Sequence, residues 1–147
     1  MIKICFVCLG NICRSPMAEF IMQDKIKKLN LENQFYITSR ATSYEEAGND
    51  MYIYAKDKLN EKGIPYTKRK AQRLEKEDYD KYDYFLCMEE SNIKNTLKIF
   101  KEDRQNKIIK LLEKDIEDPW YTGNFEKTYN ELVEGIEKLV IKLKINE

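Results

Sequence analysis

Histidine does not occur anywhere in this sequence of 147 residues. It is the side chain that most often titrates near neutral pH in catalysis and the commonest nitrogen ligand of metals. Acid–base chemistry in this protein must therefore come from carboxylates, cysteine, lysine or tyrosine. We predict neither a metal site nor any other cofactor.

Net charge and long apolar segments are also missing. Lys+Arg and Asp+Glu number 26 each, so no overall field favours nucleic acid or anionic lipid. The apolar runs are too short to span a membrane, and the apolar start of the chain leads straight into a polar glycine loop, unlike a signal peptide. We therefore expect a cytoplasmic protein with reduced thiols and with no nucleic-acid or membrane partner.

The chain does contain alternating strand and helix patterns, which suit one domain over 1–147. A capped helix is expected to start at Ser15 and Pro16, and the helix of 90–100 to start through Ser91. The βαβαβαβα order implies parallel strands in an α/β three-layer sandwich. Strands are predicted over 2–9, 34–41, 82–88 and 107–112, and further helices over 50–62 and, as a long amphipathic segment, 125–143.

The segment CLGNICRS (8–15) lies between the first predicted strand and a predicted helix start. Backbone N–H groups in such a loop, with the positive end of a helix behind them, form an anion site that suits phosphate. Gly10 and Asn11 are the residue types that most readily accept the positive φ such a loop needs. No Gly-Lys-Ser/Thr follows, so this is not a Walker loop.

Cys8 and Arg14 give this loop its chemistry. The helix dipole, the amides and the arginine favour negative charge, and hence the nucleophilic thiolate form of Cys8. Arg14, six positions later, can hold two phosphate oxygens at once. The Ser15 hydroxyl either donates to the sulfur or caps the helix. The competing interpretation is that the cysteines are buried structural residues beside a surface arginine; the preceding apolar strand, the Gly-Asn pair and the following Ser-Pro favour the phosphate loop.

The segment VCLGNICRSPMAE resembles the active-site loop of the low-molecular-weight protein tyrosine phosphatases. The segments ITSRATS (37–43), KEDYDKYDYFLCMEESN (76–92) and DPWY (118–121) are similar to other parts of that family. The resemblance implies a four-stranded parallel sheet flanked by helices, of flavodoxin-like (phosphotyrosine phosphatase I) type. It implies metal-independent hydrolysis of phosphotyrosine in a protein substrate, with a tyrosine kinase among the candidates.

Position by position, the resemblance makes Cys8 the nucleophile of a cysteinyl-phosphate mechanism, Arg14 the phosphate clamp and Asp118 the general acid and base. Most Asp-Pro pairs only start turns. Here Pro119 holds Asp118 away from helical geometry, and two aromatic residues follow that could wall a pocket for a ring. The substrate-binding residues are expected to be Leu9, Gly10, Asn11, Ile12, Cys13, Ser15, Trp120 and Tyr121.

The remaining cysteines have separate expected roles. Cys13 is either a small packing residue or a resolving thiol that forms a reversible disulfide with Cys8, and the resemblance favours the resolving thiol. Cys5 and Cys87 fall in predicted strands and are interpreted as core residues.

Three positions depart from the family pattern. Glu45 stands where many relatives have a pocket-lining tryptophan, and Tyr44 beside it is a candidate substitute. Arg69 lies near where many relatives have a histidine that supports the phosphate loop. Glu89 replaces the usual aspartate after Cys-Met. We expect an altered support network and an altered pocket rim.

Three other functions compete with this assignment. A thioredoxin-coupled arsenate reductase has a similar loop but needs a second redox pair late in the chain, and here Cys87 stands alone. A protein-arginine phosphatase usually carries threonine where this chain has Ile12, whose apolar side chain suits a phenyl ring better. A catalytically silent phosphate-binding module would not need the intact set of Cys8, Arg14 and Asp118.

Overall fold

The sheet at the centre of the fold has four parallel strands. In this computed structural model, which describes residues 1–145, they pair in the order β2-β1-β3-β4. The predicted α/β architecture with a four-stranded parallel sheet is therefore confirmed. The strands are β1 (Ile2–Cys8), β2 (Phe35–Ala41), β3 (Tyr84–Cys87) and β4 (Ile108–Lys110).

Helices cover both faces of this sheet. The last two positions of the predicted 1–147 domain lie outside the described residues, and a single domain remains a prediction. Across the described part of the chain, every helix is too short or too polar to serve as a membrane span. The helices are α1 (Arg14–Lys28), α2 (Ile53–Glu61), a 3₁₀ helix (Lys76–Lys81), α3 (Glu90–Phe100), α4 (Pro119–Thr122) and α5 (Phe125–Ile145).

Strand β1 has both faces buried, which explains its nearly continuous apolar sequence. Ile4 and Phe6 point into the larger core, which includes side chains of α1, α2 and α5. Cys5 and Val7 point into the smaller core on the opposite face, beneath the end of α3. Cys87 is fully buried in this smaller core, so the assignment of Cys5 and Cys87 to the core is confirmed.

Strand and helix ends differ from the predicted ones by at most three residues. Strand β3, predicted as 82–88, is three residues shorter than predicted, and so is β4, predicted as 107–112. Its partner β3 ends at Cys87, which pairs with Lys110, so Leu111 and Leu112 continue into the core without a strand beside them. The segment between β4 and α5, predicted as a loop, also contains the short helix α4.

Both predicted helix caps are wrong. Helix α1 begins at Arg14, with Cys13 in the capping position and no side-chain cap, so Ser15 already lies in the first turn. Helix α3 is capped by Glu89 and not by Ser91. The Glu89 carboxylate accepts from the backbone N–H of Asn92, whose side chain in turn accepts from the N–H of Glu89 at 3.1 Å. This reciprocal arrangement satisfies two N–H groups of the helix start.

Candidate active site

The phosphate-type loop connects the carboxyl end of β1 to the start of α1, the end of a parallel sheet where ligands bind. Asn11 has a φ of 60°, so its predicted positive φ is confirmed. Gly10 is not among the glycines with positive φ, and that part of the prediction is wrong. Its missing side chain matters for space instead, because a Cβ there would lie 3.3 Å from the Cγ of Glu46.

The Cys8 sulfur lies at the base of this loop, and the residue as a whole is 3% exposed. The backbone N–H of Asn11 donates to it at 3.3 Å, and the Ser15 hydroxyl lies 3.0 Å from it. The Asn11 side-chain amide donates to the Ser15 oxygen at 2.7 Å and to the Ser39 oxygen at 2.9 Å. Because the Ser15 oxygen accepts from Asn11, its own hydrogen is free to point at Cys8. Of the two expected roles of Ser15, the geometry therefore favours donation to the sulfur.

Arg69 determines which way the Asn11 amide faces. The Arg69 guanidinium donates to the backbone oxygen of Asn11 at 2.7 Å and also to its side-chain oxygen. The backbone N–H of Gln72 donates to that side-chain oxygen at 3.2 Å. With two donors on the oxygen, the amide nitrogen must face the serines. Burial lowers the pKa of Arg69 and Glu19 opposes the shift, but a guanidinium that starts above about 12 stays protonated at neutral pH.

Arg14 is buried, at 1% exposure, and its guanidinium is held from two sides. It donates to the backbone oxygen of Ile116 at 2.8 Å and lies 3.2 Å from the Glu89 carboxylate and 3.5 Å from that of Asp118. Burial alone would lower the pKa of Arg14, but the charges of Cys8, Asp118 and Glu89 together raise it above its ordinary value. The side chain is thus a fixed cation at the loop.

Asp118 lies across the pocket from the loop. One carboxylate oxygen accepts from the Trp120 N–H at 3.0 Å and caps α4, while the other faces Arg14. The Trp120 ring packs against Tyr52, with 4.6 Å between ring centroids. The backbone N–H of Tyr52 donates to the Ile12 oxygen at 2.9 Å. The aspartate loop and the phosphate-type loop are therefore linked through Tyr52.

These groups enclose a pocket of about 280 Å³. Ser15 does not line it but lies behind the Cys8 sulfur, and every other predicted site residue is brought to its wall. Within residues 1–145, no three His, Cys, Asp or Glu side chains are grouped so that they could hold a metal ion. The lining residues are Cys8, Leu9, Gly10, Asn11, Ile12, Cys13, Arg14, Glu45, Glu46, Asp118, Trp120 and Tyr121.

Comparison with known proteins identifies the family of this chain. A sequence model described as low molecular weight phosphotyrosine protein phosphatase matches residues 3–147. The chain belongs to this family. The predicted membership is confirmed, and the chain is a hydrolase of the protein tyrosine phosphatase class.

Individual members of the family are similar over almost their whole length. The phosphatase PtpA of Staphylococcus saprophyticus subsp. saprophyticus is 36% identical over 146 residues, which span 95% of this chain and 92% of PtpA. The crystal structure of SP-PTP from Streptococcus pyogenes has a TM-score of 0.91 at 36% identity and covers 97% of this chain and 93% of its own. That of YfkJ from Bacillus subtilis has a TM-score of 0.96 at 32% identity, with 100% and 97% coverage.

The pocket rim of this phosphatase differs from the expected one. Tyr44 does not line the pocket in place of the family's tryptophan. Its hydroxyl donates to Glu75 at 3.0 Å, and the Arg73 guanidinium lies over its ring at 4.6 Å from the centroid. The side chain is turned away from the pocket by these two partners. Glu45 and Glu46 line the rim instead, and Glu46 is a residue that the sequence analysis missed.

Two further residues that the sequence analysis did not select hold the phosphate-type loop in place. Ser39 accepts from the Asn11 amide and donates to the Glu19 carboxylate at 2.6 Å. Burial raises the pKa of Glu19 above its usual range, an effect that the Ser39 hydrogen bond opposes. Both residues lie inside segments that resemble the family, ITSRATS and VCLGNICRSPMAE. That resemblance is the sequence signal that could have identified them.

Replacing Arg69 by alanine removes both hydrogen bonds that its guanidinium donates to Asn11. We expect kcat/KM for an aryl phosphate to fall about tenfold, because a buried polar group left without its partner costs about 1–3 kcal/mol. Arg69→Lys, which keeps a charged donor, is expected to recover part of the loss. The exposed Arg104, replaced by alanine, is the matched control. Unchanged kcat/KM in a folded Arg69→Ala variant would contradict the role of Arg69 in holding Asn11.

Proposed function

We propose that this chain hydrolyses phosphotyrosine in proteins through a cysteinyl-phosphate intermediate. The observation that carries the proposal is the meeting of a buried cysteine thiol, a fixed guanidinium and a carboxylate around one pocket of about 280 Å³. Cys8 is the nucleophile, Arg14 the phosphate clamp and Asp118 the general acid and base. The aromatic wall at Trp120 and Tyr121, with the apolar Ile12, suits the ring of the substrate.

In the first step, the Cys8 thiolate attacks the phosphorus in line with the tyrosine oxygen. The sulfur–phosphorus bond forms as the bond from phosphorus to the phenolic oxygen breaks. Asp118, protonated at this stage, gives its proton to that oxygen, so that neutral tyrosine leaves. The aspartate is then ionised, beside the Arg14 guanidinium.

In the second step, water attacks the phosphorus of the cysteinyl phosphate. Ionised Asp118 takes a proton from the water, and the phosphorus–sulfur bond breaks. Inorganic phosphate leaves, and Cys8 returns to its thiolate form. The Ser15 hydroxyl and the Asn11 N–H, at 3.0 Å and 3.3 Å from the sulfur, stabilise that thiolate as a leaving group.

The equatorial phosphate oxygens carry the developing charge in both steps. The loop amides and Arg14 are the groups that stabilise it, and such preorganised donors are the main source of catalysis in phosphoryl transfer. Asp118 and Glu89, which both contact Arg14, hold its guanidinium in place. Activity is therefore expected to survive EDTA.

Side-by-side kinetics on phosphotyrosine, phosphoserine and phosphoarginine peptides test this proposal. We expect the highest kcat/KM for phosphotyrosine, because only its ring fills the space between Ile12 and Trp120. A higher value for phosphoarginine would overturn the substrate assignment. The proposed partner is a phosphotyrosine-containing protein, and the narrower proposal is a tyrosine kinase. A cytoplasmic location remains a prediction.

Cys13 is proposed as the resolving thiol of Cys8. Both side chains are buried free thiols of the same loop. Burial raises the pKa of the Cys13 thiol well above its ordinary value, and the charge of Cys8 adds to the shift, so Cys13 is protonated at rest. Peroxide converts the Cys8 thiolate to a sulfenic acid; the Cys13 sulfur then attacks the Cys8 sulfur, and the hydroxyl leaves with the Cys13 proton as water.

Mass spectrometry after mild peroxide treatment tests this redox role. We expect the wild-type peptide that contains both cysteines to lose two hydrogens, and Cys13→Ser to progress to the sulfinic and sulfonic acids of Cys8. Equal rates of irreversible Cys8 oxidation in the two proteins would contradict the role of Cys13.

A further inference from the structure

The two sides of the active-site mouth differ in chemistry. On one side lie Glu45 and Glu46, which we call the acidic rim. Glu45 is exposed, and Glu46 accepts a hydrogen bond from the Asn49 side chain at 2.7 Å, which holds it beside the pocket. Within residues 1–145, neither carboxylate takes part in an ion pair. The acidic rim therefore presents uncompensated negative charge at the entrance.

The opposite side of the mouth is aromatic. Trp120 is 49% exposed and Tyr121 76% exposed, although both are large rings that line the pocket. Tyr54, beyond them, is also exposed, and its ring packs edge-on against Tyr52 at 5.3 Å between centroids. None of the described residues that line this side of the pocket is a cation that could offset the acidic rim.

The interior of the pocket does not offset the acidic rim either. Arg14 is the one cation among the described residues that line it, and it is buried beneath the loop against Asp118 and Glu89. Its remaining N–H groups are expected to bind the substrate phosphate. The charge at the mouth is therefore negative on the side of the acidic rim, and no described residue that lines the mouth offsets it.

A peptide with its phosphotyrosine in this pocket must pass over the rims. A space of about 280 Å³ accommodates little more than the phosphate and the ring, so the residues adjacent in sequence lie across the mouth. We propose that the acidic rim selects phosphotyrosines that have Lys or Arg as a sequence neighbour and disfavours those flanked by Asp or Glu. This inference rests on the proposed function and specifies its substrate class.

Matched phosphotyrosine peptides test the inference. In each pair, one peptide carries Lys and the other Glu next to the phosphotyrosine, and the two are otherwise identical. One pair has this residue on the N-terminal side of the phosphotyrosine, and the second pair has it on the C-terminal side. For wild-type protein at low salt we expect kcat/KM to favour Lys by about fivefold or more in the better position, since exposed ion pairs and like-charge contacts contribute modestly. The ratio is expected to shrink at high salt, where exposed charges are screened.

The double variant Glu45→Gln with Glu46→Gln is expected to bring this ratio close to unity. A ratio compares two peptides on one protein, so a change in intrinsic activity cancels. The control, Glu134→Gln with Glu137→Gln, removes the same charge from the exposed side of α5 and is expected to keep the wild-type ratio. The inference is overturned if wild-type protein shows no preference for Lys, or if the preference survives loss of the acidic rim. Failure to hydrolyse any phosphotyrosine peptide would overturn the proposed function instead.

Discussion

Replacing Cys8 by serine is expected to lower kcat for a phosphotyrosine peptide by at least about a thousandfold. A serine hydroxyl remains protonated near neutral pH, and the groups around this position donate hydrogen bonds instead of accepting a proton. The Asn11 N–H and the Ser15 hydroxyl are arranged to stabilise a negative charge on the atom at this position. The substitution is nearly isosteric, so the pocket should persist.

Steady-state kinetics with the peptide, together with circular dichroism and binding of inorganic phosphate, separate lost chemistry from lost structure. Phosphate is expected to bind the serine variant, because Arg14 and the loop amides remain. Cys87→Ser is the matched control, since Cys87 is buried in the smaller core and its sulfur faces Thr96 at 3.9 Å. It is expected to keep kcat close to wild type. A Cys8→Ser protein with more than about a tenth of wild-type kcat would exclude Cys8 as the nucleophile.

Replacing Asp118 by asparagine is expected to lower kcat for phosphotyrosine by about a hundredfold or more, the range of a lost general acid. The loss should be smaller for p-nitrophenyl phosphate, whose better leaving group needs less protonation. Asparagine keeps the oxygen that accepts from the Trp120 N–H, so the cap of α4 is retained. Asp118→Ala also removes that cap, at a further cost in stability of about 1 kcal/mol.

The role of Asp118 is decided by comparing the loss of kcat for phosphotyrosine with the loss of kcat for p-nitrophenyl phosphate. Kinetics with both substrates are compared for wild type, Asp118→Asn and the control Glu117→Gln. Glu117 is the preceding residue, its carboxylate is outside the pocket, and its variant is expected to match wild type for both substrates. Equal losses for good and poor leaving groups in Asp118→Asn would show that Asp118 does not protonate the leaving oxygen.

The parts of this fold that local sequence determines could be predicted. The apolar run of β1 indicates a strand with both faces covered, and the spacing of apolar residues in α5 indicates a helix docked on the sheet. The same holds for the phosphate-type loop, because Cys8, the positive-φ Asn11 and Arg14 lie within seven residues, 8–14. Asp118 needed the family resemblance, since Asp-Pro alone indicates only a turn.

The support of the site depends on contacts between distant parts of the chain; the family resemblance singled out Arg69, but the partner atoms of these contacts could not be predicted. Arg14 donates to the Ile116 oxygen across 102 positions, and Arg69 reaches Asn11 across 58. Ser15 shows how such contacts change a local preference: its hydroxyl suits a helix cap, but the Asn11 amide and the Cys8 sulfur use it instead. Tyr44 was expected at the rim by adjacency to Glu45, whereas Arg73 and Glu75 hold it elsewhere.

Trapping the phosphorylated enzyme tests the central claim most directly. Wild-type protein is mixed rapidly with excess p-nitrophenyl phosphate, quenched during turnover, digested and analysed by mass spectrometry under conditions that preserve phosphocysteine. The proposed mechanism predicts one phosphoryl group per chain, on the peptide that contains Cys8, with Cys8 protected from alkylation while it is present. A phosphoryl group on another residue, with Cys8 open to alkylation during turnover, would contradict it.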